Sequence, residues 1–492
     1  MKNKLPVILF FSLFAPPLVS PQTPPALERF LESRYMQGAS CAFLAKDIQS
    51  GEILYAYDAN RKMPPASVLK IVTTATALEL LGAEHRFATT LEYDGERNAS
   101  ALKGNLYIKG SGDPTLGSSH FAPDRSSYTP DRNTFIPQWL DALRSQGVRE
   151  ITGSVVADER VFDTEGVSMK WVFEDAGSYY GAGCYGLSVF DNLYRLSFRT
   201  GRAGSIPEMI SCVPVVPELR FHTYLTVGVR SNDSSYIVGA PFVPERYVYG
   251  VLPANAQHVV LRGDIPDPPL FLAQYVKTCL QEAGIAIGGK ATSFRLLQEA
   301  HNVPTRERKI LATTYSPVLR DIVSVTNGRS HNLYAEALLK TLGTRYRTKL
   351  GEVLSSSGKG IRVIQTHWEK NGLDTSDLWM FDGCGLALSN RVTASFLCNL
   401  LIYMATKSVQ SDAFVASLPR AGREGTVANL LRGTPLQGKA RLKSGGMSRV
   451  RTFAGYISKG NKQYAVALFT ENYACTMAEI TGEIEKLLLA LF

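Results

Sequence analysis

Apolar positions along residues 40–57 (SCAFLAKDIQSGEILYAY) fall into two strand-length runs around the polar turn Gln49-Ser50-Gly51, which predicts a pair of strands. Residues 67–81 (SVLKIVTTATALELL) are rich in Ala, Leu and Val with no Gly or Pro, and predict a helix. Gly82 stands where a helix C′ residue belongs, and Pro64 and Pro65 lie where a helix has no donor to lose. From about Phe87 the texture changes to short strands with Gly, Asn and Asp turns, as in FATTLEYDG, GNLYIKGSGDPTL and ITGSVVADERVFD. It continues to Asp267-Pro268-Pro269, and residues 219–262 read as purely β. A helix from Phe271 to Ala283, closed by Gly284, follows that proline stop. Long helical patterns return after Leu311, as in residues 331–343 (HNLYAEALLKTLG). The C-terminal stretch reads strand, strand, helix: RTFAGYIS, QYAVALFTEN, MAEITGEIEKLLLALF. The simplest architecture is an α/β domain built from both chain ends, with β-rich material inserted in its middle.

The first residues change the picture of location. Lys2 and Lys4 precede an apolar run from Val7 to Ala15, interrupted only by Ser12 and too short to span a bilayer. Pro16 and Pro17 break the run and small Ser20 follows, so residues 1–20 predict a cleaved export signal and a periplasmic location. The alternative, a buried N-terminal helix, fits those prolines badly. The net charge of +9 falls to +7 without the two lysines, and suits peripheral attraction to anionic wall polymer or membrane headgroups. That charge is scattered, with no basic run carrying interleaved aromatics, which argues against nucleic acid. The seven cysteines, Cys41, Cys184, Cys212, Cys279, Cys384, Cys398 and Cys475, have spacings that fix no disulfide pairing. No CxxC or HxxxH cluster suggests a metal, and no cofactor is expected.

Candidate chemistry comes from three short motifs. Ser67-Val68-Leu69-Lys70 opens the predicted helix; positions i and i+3 share a face, so the lysine amine can lie beside the serine hydroxyl and remove its proton. Ser330-His331-Asn332 opens an apolar helical run. Lys443-Ser444-Gly445, followed by Gly446, lies just before the two terminal strands, where the glycines let a peptide approach a strand edge. Each tripeptide alone is also readable as a polar loop or turn. Their order, S-x-x-K, S-x-N, K-[ST]-G, is the signature of penicillin-binding proteins and serine β-lactamases.

With these motifs go PPASVLK, GSGDPTL (110–116), ITGSVVADERVFD (151–163), YYGAGCYGLSVFDN (179–192), FDGCGLALSNRVT (381–393) and AGREGTV (421–427). On these blocks residues 25–492 resemble the low-molecular-mass class C penicillin-binding proteins, the D-alanyl-D-alanine carboxypeptidase/endopeptidase family. The gap of 263 residues between Ser67 and Ser330 fits the family's two inserted domains. The resemblance implies an α+β fold: a transpeptidase domain with an antiparallel sheet flanked by helices (22–90 and 300–492), a first inserted domain (91–175 and 262–299) and a second, β domain (176–261). It implies Ser67 as acylated nucleophile, Lys70 as general base, Ser330 as proton relay and Asn332 as partner of the substrate amide. Lys443 and Ser444 would hold the terminal carboxylate along the Gly445-Gly446 edge, with Ser67 and Gly446 N–H groups as oxyanion hole. Asp175 resembles an acid that meets the amine of a diamino-acid side chain.

Two departures stand out. His331 occupies a place where the family usually has Asp or Ser, and is expected to point away from substrate. Cys384 stands where the family usually has Ser. The implied partners are peptidoglycan stem peptides ending in D-Ala-D-Ala and β-lactam antibiotics. Competing readings are a β-lactamase or esterase on the same fold, distinguished by rapid turnover of a cephalosporin, and a non-catalytic wall-binding protein that releases no D-alanine.

Overall fold

The structure, a computed structural model, describes residues 23–98, 100–122, 135–229 and 233–492. The expected export signal lies outside them. No helix among the described residues is long and apolar enough to cross a membrane.

Both ends of the chain meet in one five-stranded antiparallel sheet, in the order Ile53–Tyr57, Ser40–Asp47, Lys462–Glu471, Val450–Lys459, Ala440–Met447. Both faces are covered, which is why its strands read as apolar runs. Successive side chains of a strand alternate faces. Cys41, Phe43 and Ala45 enter a core with the helices Pro25–Leu31 and Met477–Leu491. Ala42 and Leu44 enter a second core with the helices Lys70–Leu81, Asn332–Gly343 and Ala394–Thr406. Each fully buried Leu or Phe there contributes roughly 1.5–3 kcal/mol relative to exposure, so the sheet and its central helices form a rigid platform.

Three expectations are revised. Lys443-Ser444-Gly445 does lie just before the two terminal strands, but inside a further strand, Ala440–Met447, at the sheet edge. Gly and Lys are depleted in strands, which hid it. The helix expected from Phe271 starts at Pro268, capped by Asp267, whose Oδ1 accepts from Leu270 N at 3.1 Å. Its prolines begin the helix rather than stop one, because the first turn needs no backbone donors. Ser67 itself sits in a 3-10 turn, Ala66–Leu69, that runs directly into the helix Lys70–Leu81.

The middle of the chain carries the remaining larger sheets. A mixed five-stranded sheet runs Ala291–Ser293, Val155–Asp158, Leu106–Lys109, Ala88–Asp94, Arg308–Tyr315. Arg308–Tyr315 pairs with Ala88–Asp94 over the length of both, so the chain enters and leaves this middle region through adjacent strands. Likewise Val259–Asp264 pairs with Leu193–Arg199. The middle of the chain packs around one core, with Ile108, Val155 and Trp139 in the same cluster as Leu196, Phe198 and Val248.

Candidate active site

The three motifs, remote in sequence, converge at the edge strand. Ser67 is half-buried at the start of its helix, and Lys70 is fully buried one turn on. Lys70 Nζ lies 3.0 Å from Ser67 Oγ, 2.7 Å from Asn332 Oδ1 and 2.7 Å from the Cys384 carbonyl oxygen. Asn332 and Cys384 offer only acceptors here, so they take two N–H donors. An uncharged amine then has its lone pair directed at the Ser67 hydroxyl, the arrangement a base requires. Across the cleft, Lys443 Nζ donates to Ser330 Oγ at 2.8 Å and to the Ser444 carbonyl at 2.6 Å. Ser444 Oγ donates to Thr426 Oγ1 at 2.7 Å.

Local backbone explains the residue types. Ala66 and Ser330 have φ of 45° and 59°, so each motif places a non-glycine residue in the left-handed region, beside or at its serine. Gly445 touches the serine turn: a methyl group added there would sit 2.9 Å from both Ser67 N and Pro65 O, and 2.2 Å from Thr452 Oγ1. Thr452 Oγ1 in turn donates to Pro65 O at 2.8 Å, fastening the turn to the sheet. Gly446 is exposed one position further along the edge.

Burial pushes the Lys70 amine below the ordinary lysine range, opposed by the acids Asp382 and Glu336. Lys443 is pushed well below it, by burial first and then by repulsion from Lys70 and Arg451. For Lys70 desolvation is the lowering influence, and the repulsion between the two lysines falls on Lys443.

The other site candidates are placed as follows. Asn332 Nδ2 donates to the Tyr180 carbonyl at 2.8 Å, tying the second motif to the insertion. Asp175 ends a 3-10 turn, Phe173–Asp175, is 6% exposed, and accepts from Val172 N at 3.3 Å. Burial pushes its carboxyl up to about 6. His331 stacks on Tyr334 at 4.0 Å between centroids, with Nε2 3.7 Å from Asp191 Oδ1, and burial lowers its pKa to about 4. Cys384 contributes its main-chain carbonyl to Lys70, so the Ser-to-Cys departure leaves that bond intact. Burial holds its thiol well above the usual range, which makes it inert. All seven cysteines are free thiols.

Several residues escaped sequence reasoning. Glu336, 3% exposed, accepts from Gly383 N at 2.8 Å and Cys384 N at 2.7 Å, fixing the loop whose carbonyl holds Lys70. Asp382 accepts from Gly385 N, Ala387 N, Asn390 Nδ2 and Trp171 Nε1 at 2.6–2.9 Å. An acid inside the apolar run NLYAEALL was the available signal for Glu336.

Serine and lysine on adjoining turns, flanked by the edge strand of a helix-covered antiparallel sheet, define a penicillin-binding-protein-like fold. The crystal structure of penicillin binding protein 4 (dacB) from Haemophilus influenzae is similar, with a TM-score of 0.77 at 21% identity over 94% of this chain and 98% of that one. The D-Ala-D-Ala carboxypeptidase 3 (S13) family matches residues 25–486, and the chain belongs to that family of serine peptidases. Relatives include a D-alanyl-D-alanine carboxypeptidase of Actinomadura sp., 26% identical over 91% of this chain and 80% of that protein. Another is the D-alanyl-D-alanine carboxypeptidase DacB of Haemophilus influenzae, 23% identical over 93% and 89%.

Proposed function

We propose that this chain is an exported, penicillin-sensitive serine D-alanyl-D-alanine carboxypeptidase/endopeptidase acting on peptidoglycan stem peptides and cross-links. The observation that carries the reading is the buried Lys70 amine, 3.0 Å from Ser67 Oγ with Asn332 Oδ1 and Cys384 O as its other neighbours.

Ser67 Oγ attacks the carbonyl of the penultimate D-alanine while Lys70 takes its proton. The N–H groups of Ser67 and Gly446 receive the developing oxyanion; one such donor is typically worth about 3–4 kcal/mol. The terminal carboxylate settles against Lys443 and Ser444, and its charge draws Lys443 back to the ammonium form. The Lys443–Ser330 pair, 2.8 Å apart, relays a proton to the departing amine. Asn332 keeps one amide hydrogen for the substrate while the other holds Tyr180 O. Water then cleaves the ester. A β-lactam acylates the same serine, but its leaving group stays tethered and obstructs water. Asp175 meets the amine of a diamino acid in the stem peptide. Residues 1–20 direct export to the periplasm, which a reporter fusion of that segment tests by external activity.

Mass spectrometry after penicillin treatment tests the central claim. One adduct is expected on the peptide holding Ser67, absent in Ser67→Ala, together with loss of D-alanine release. An adduct elsewhere, or D-alanine release by Ser67→Ala, overturns it.

A further inference from the structure

His331, which the catalytic reading leaves without a task, meets two residues of the insertion. His120 and His331 rings stand edge to face at 5.2 Å between centroids, 84° apart. Asp191 Oδ1 lies 3.7 Å from His331 Nε2, too long for a hydrogen bond. One ligand atom from each of the three lies within 4.8 Å of the other two. Two nitrogens or oxygens bound tetrahedrally to one ion at about 2.0–2.1 Å stand roughly 3.3–3.4 Å apart. The observed spacing is wider than that by an amount small side-chain rotations remove.

The surroundings are those of a built site. Tyr334 stacks on His331, and its hydroxyl lies 2.7 Å from Ser118 Oγ and 3.1 Å from Asp191 Oδ1, which fixes both ring and carboxylate as outer-shell groups do. His331 Nδ1 is buried without a hydrogen-bond partner among the described residues. His120 is partly exposed and gives a route from solvent.

The geometry points to a divalent transition-metal site formed by His120, Asp191 and His331, joining the inserted domains to the second catalytic motif. Two imidazoles and one carboxylate favour zinc or cobalt over magnesium or calcium, which prefer all-oxygen sets. Three protein ligands leave the fourth position to water. The sequence expectation of no metal came from spacing: these ligands share no element, and only folding assembles them.

The test uses the whole mature protein after chelator treatment. Calorimetric titration with Zn2+ should give one saturable site that His120→Ala weakens more than about tenfold. Penicillin acylation of the metal-stripped His120→Ala protein should equal that of the stripped parent, since His120 lies outside the proposed machinery. Zn2+ should also protect the His120 and His331 peptides of the parent protein from diethyl pyrocarbonate, a measurement that needs no variant. Absence of saturable binding, binding untouched by His120→Ala, or equal modification with and without Zn2+ each overturns the proposal.

Discussion

Replacing Lys70 by methionine separates the base from the fold. Methionine keeps the length and most of the volume of the side chain but carries no lone pair that can take the Ser67 proton. Asn332 Oδ1 and Cys384 O each lose a donor at 2.7 Å, a loss of roughly 1–3 kcal/mol apiece. Against this, the variant no longer keeps an amine fully out of water, whose transfer costs a comparable amount. The two nearly cancel, so Lys70→Met should fold, with a thermal midpoint close to the parent's. Its acylation rate should not survive. A positioned general base contributes about 10²–10⁴ in rate, or roughly 3–5 kcal/mol of barrier.

Stopped-flow acylation by a fluorescent penicillin, followed against pH, measures this directly. In the parent the rate should rise with pH as Lys70 loses its proton, with a midpoint below the 10.5 of an ordinary lysine because burial favours the neutral amine. In Lys70→Met that rise should vanish and the residual rate be flat. Lys443, relieved of its like-charged neighbour, should titrate higher. A Lys70→Met rate within a few-fold of the parent, or a parent rate that falls as pH rises, would refute the base assignment.

Glu336→Gln keeps an oxygen for Gly383 N and Cys384 N but removes a negative charge that holds the Lys70 pKa up; the pH midpoint of acylation should move lower with the plateau rate retained, whereas a purely structural role predicts a lower plateau at an unmoved midpoint. Asp175→Asn should lower kcat/KM for stem peptides carrying a diamino-acid side chain and leave those with the amine acetylated unchanged; equal losses on both would remove Asp175 from substrate recognition. Asp113, buried, has its pKa raised from 3.8 to about 6 by desolvation, so folding favours its protonated form. Its contribution is complete below about 3.8 and is lost as pH rises through about 6, by at most roughly 3 kcal/mol. Asp113→Asn should flatten the thermal midpoint over that window, and an unchanged slope would refute the assignment.

What the sequence made legible, and what it hid, follows from the range of the forces involved. The helix Lys70–Leu81 and the strands Ser40–Asp47 and Lys462–Glu471 bury long apolar runs, and a run is a local property. Lys443 and Gly445 lie in a strand stabilised by pairing with Val450–Lys459, and pairing leaves no mark on the residues' own propensities. The S-x-x-K spacing conveyed that Ser67 and Lys70 share a face. It carried no trace of Cys384 O or Asn332 Oδ1, which set the amine's lone pair and come from residues 314 and 262 positions away. His120, Asp191 and His331 meet for the same reason, through packing between units that single-sequence patterns do not encode.

That packing makes the insertion part of the site rather than an appendage. The second-motif helix, Asn332–Gly343, is held along its length by the inserted chain. Asn332 Nδ2 donates to Tyr180 O, the Tyr334 hydroxyl meets Ser118 and Asp191, and the buried Lys340 amine donates to Cys184 O and Glu165 O. Trp171 adds a bond to Asp382, in the loop that carries Cys384 O to Lys70. Deleting the insertion would leave the Lys340 amine and the Asn332 amide without these acceptors, at roughly 1–3 kcal/mol or more for each group. It would also loosen both neighbours of the Lys70 amine. The serine, its base and the second motif therefore depend on a β-rich body that none of the three motifs contains, which gives a physical reason for so long a gap between Ser67 and Ser330.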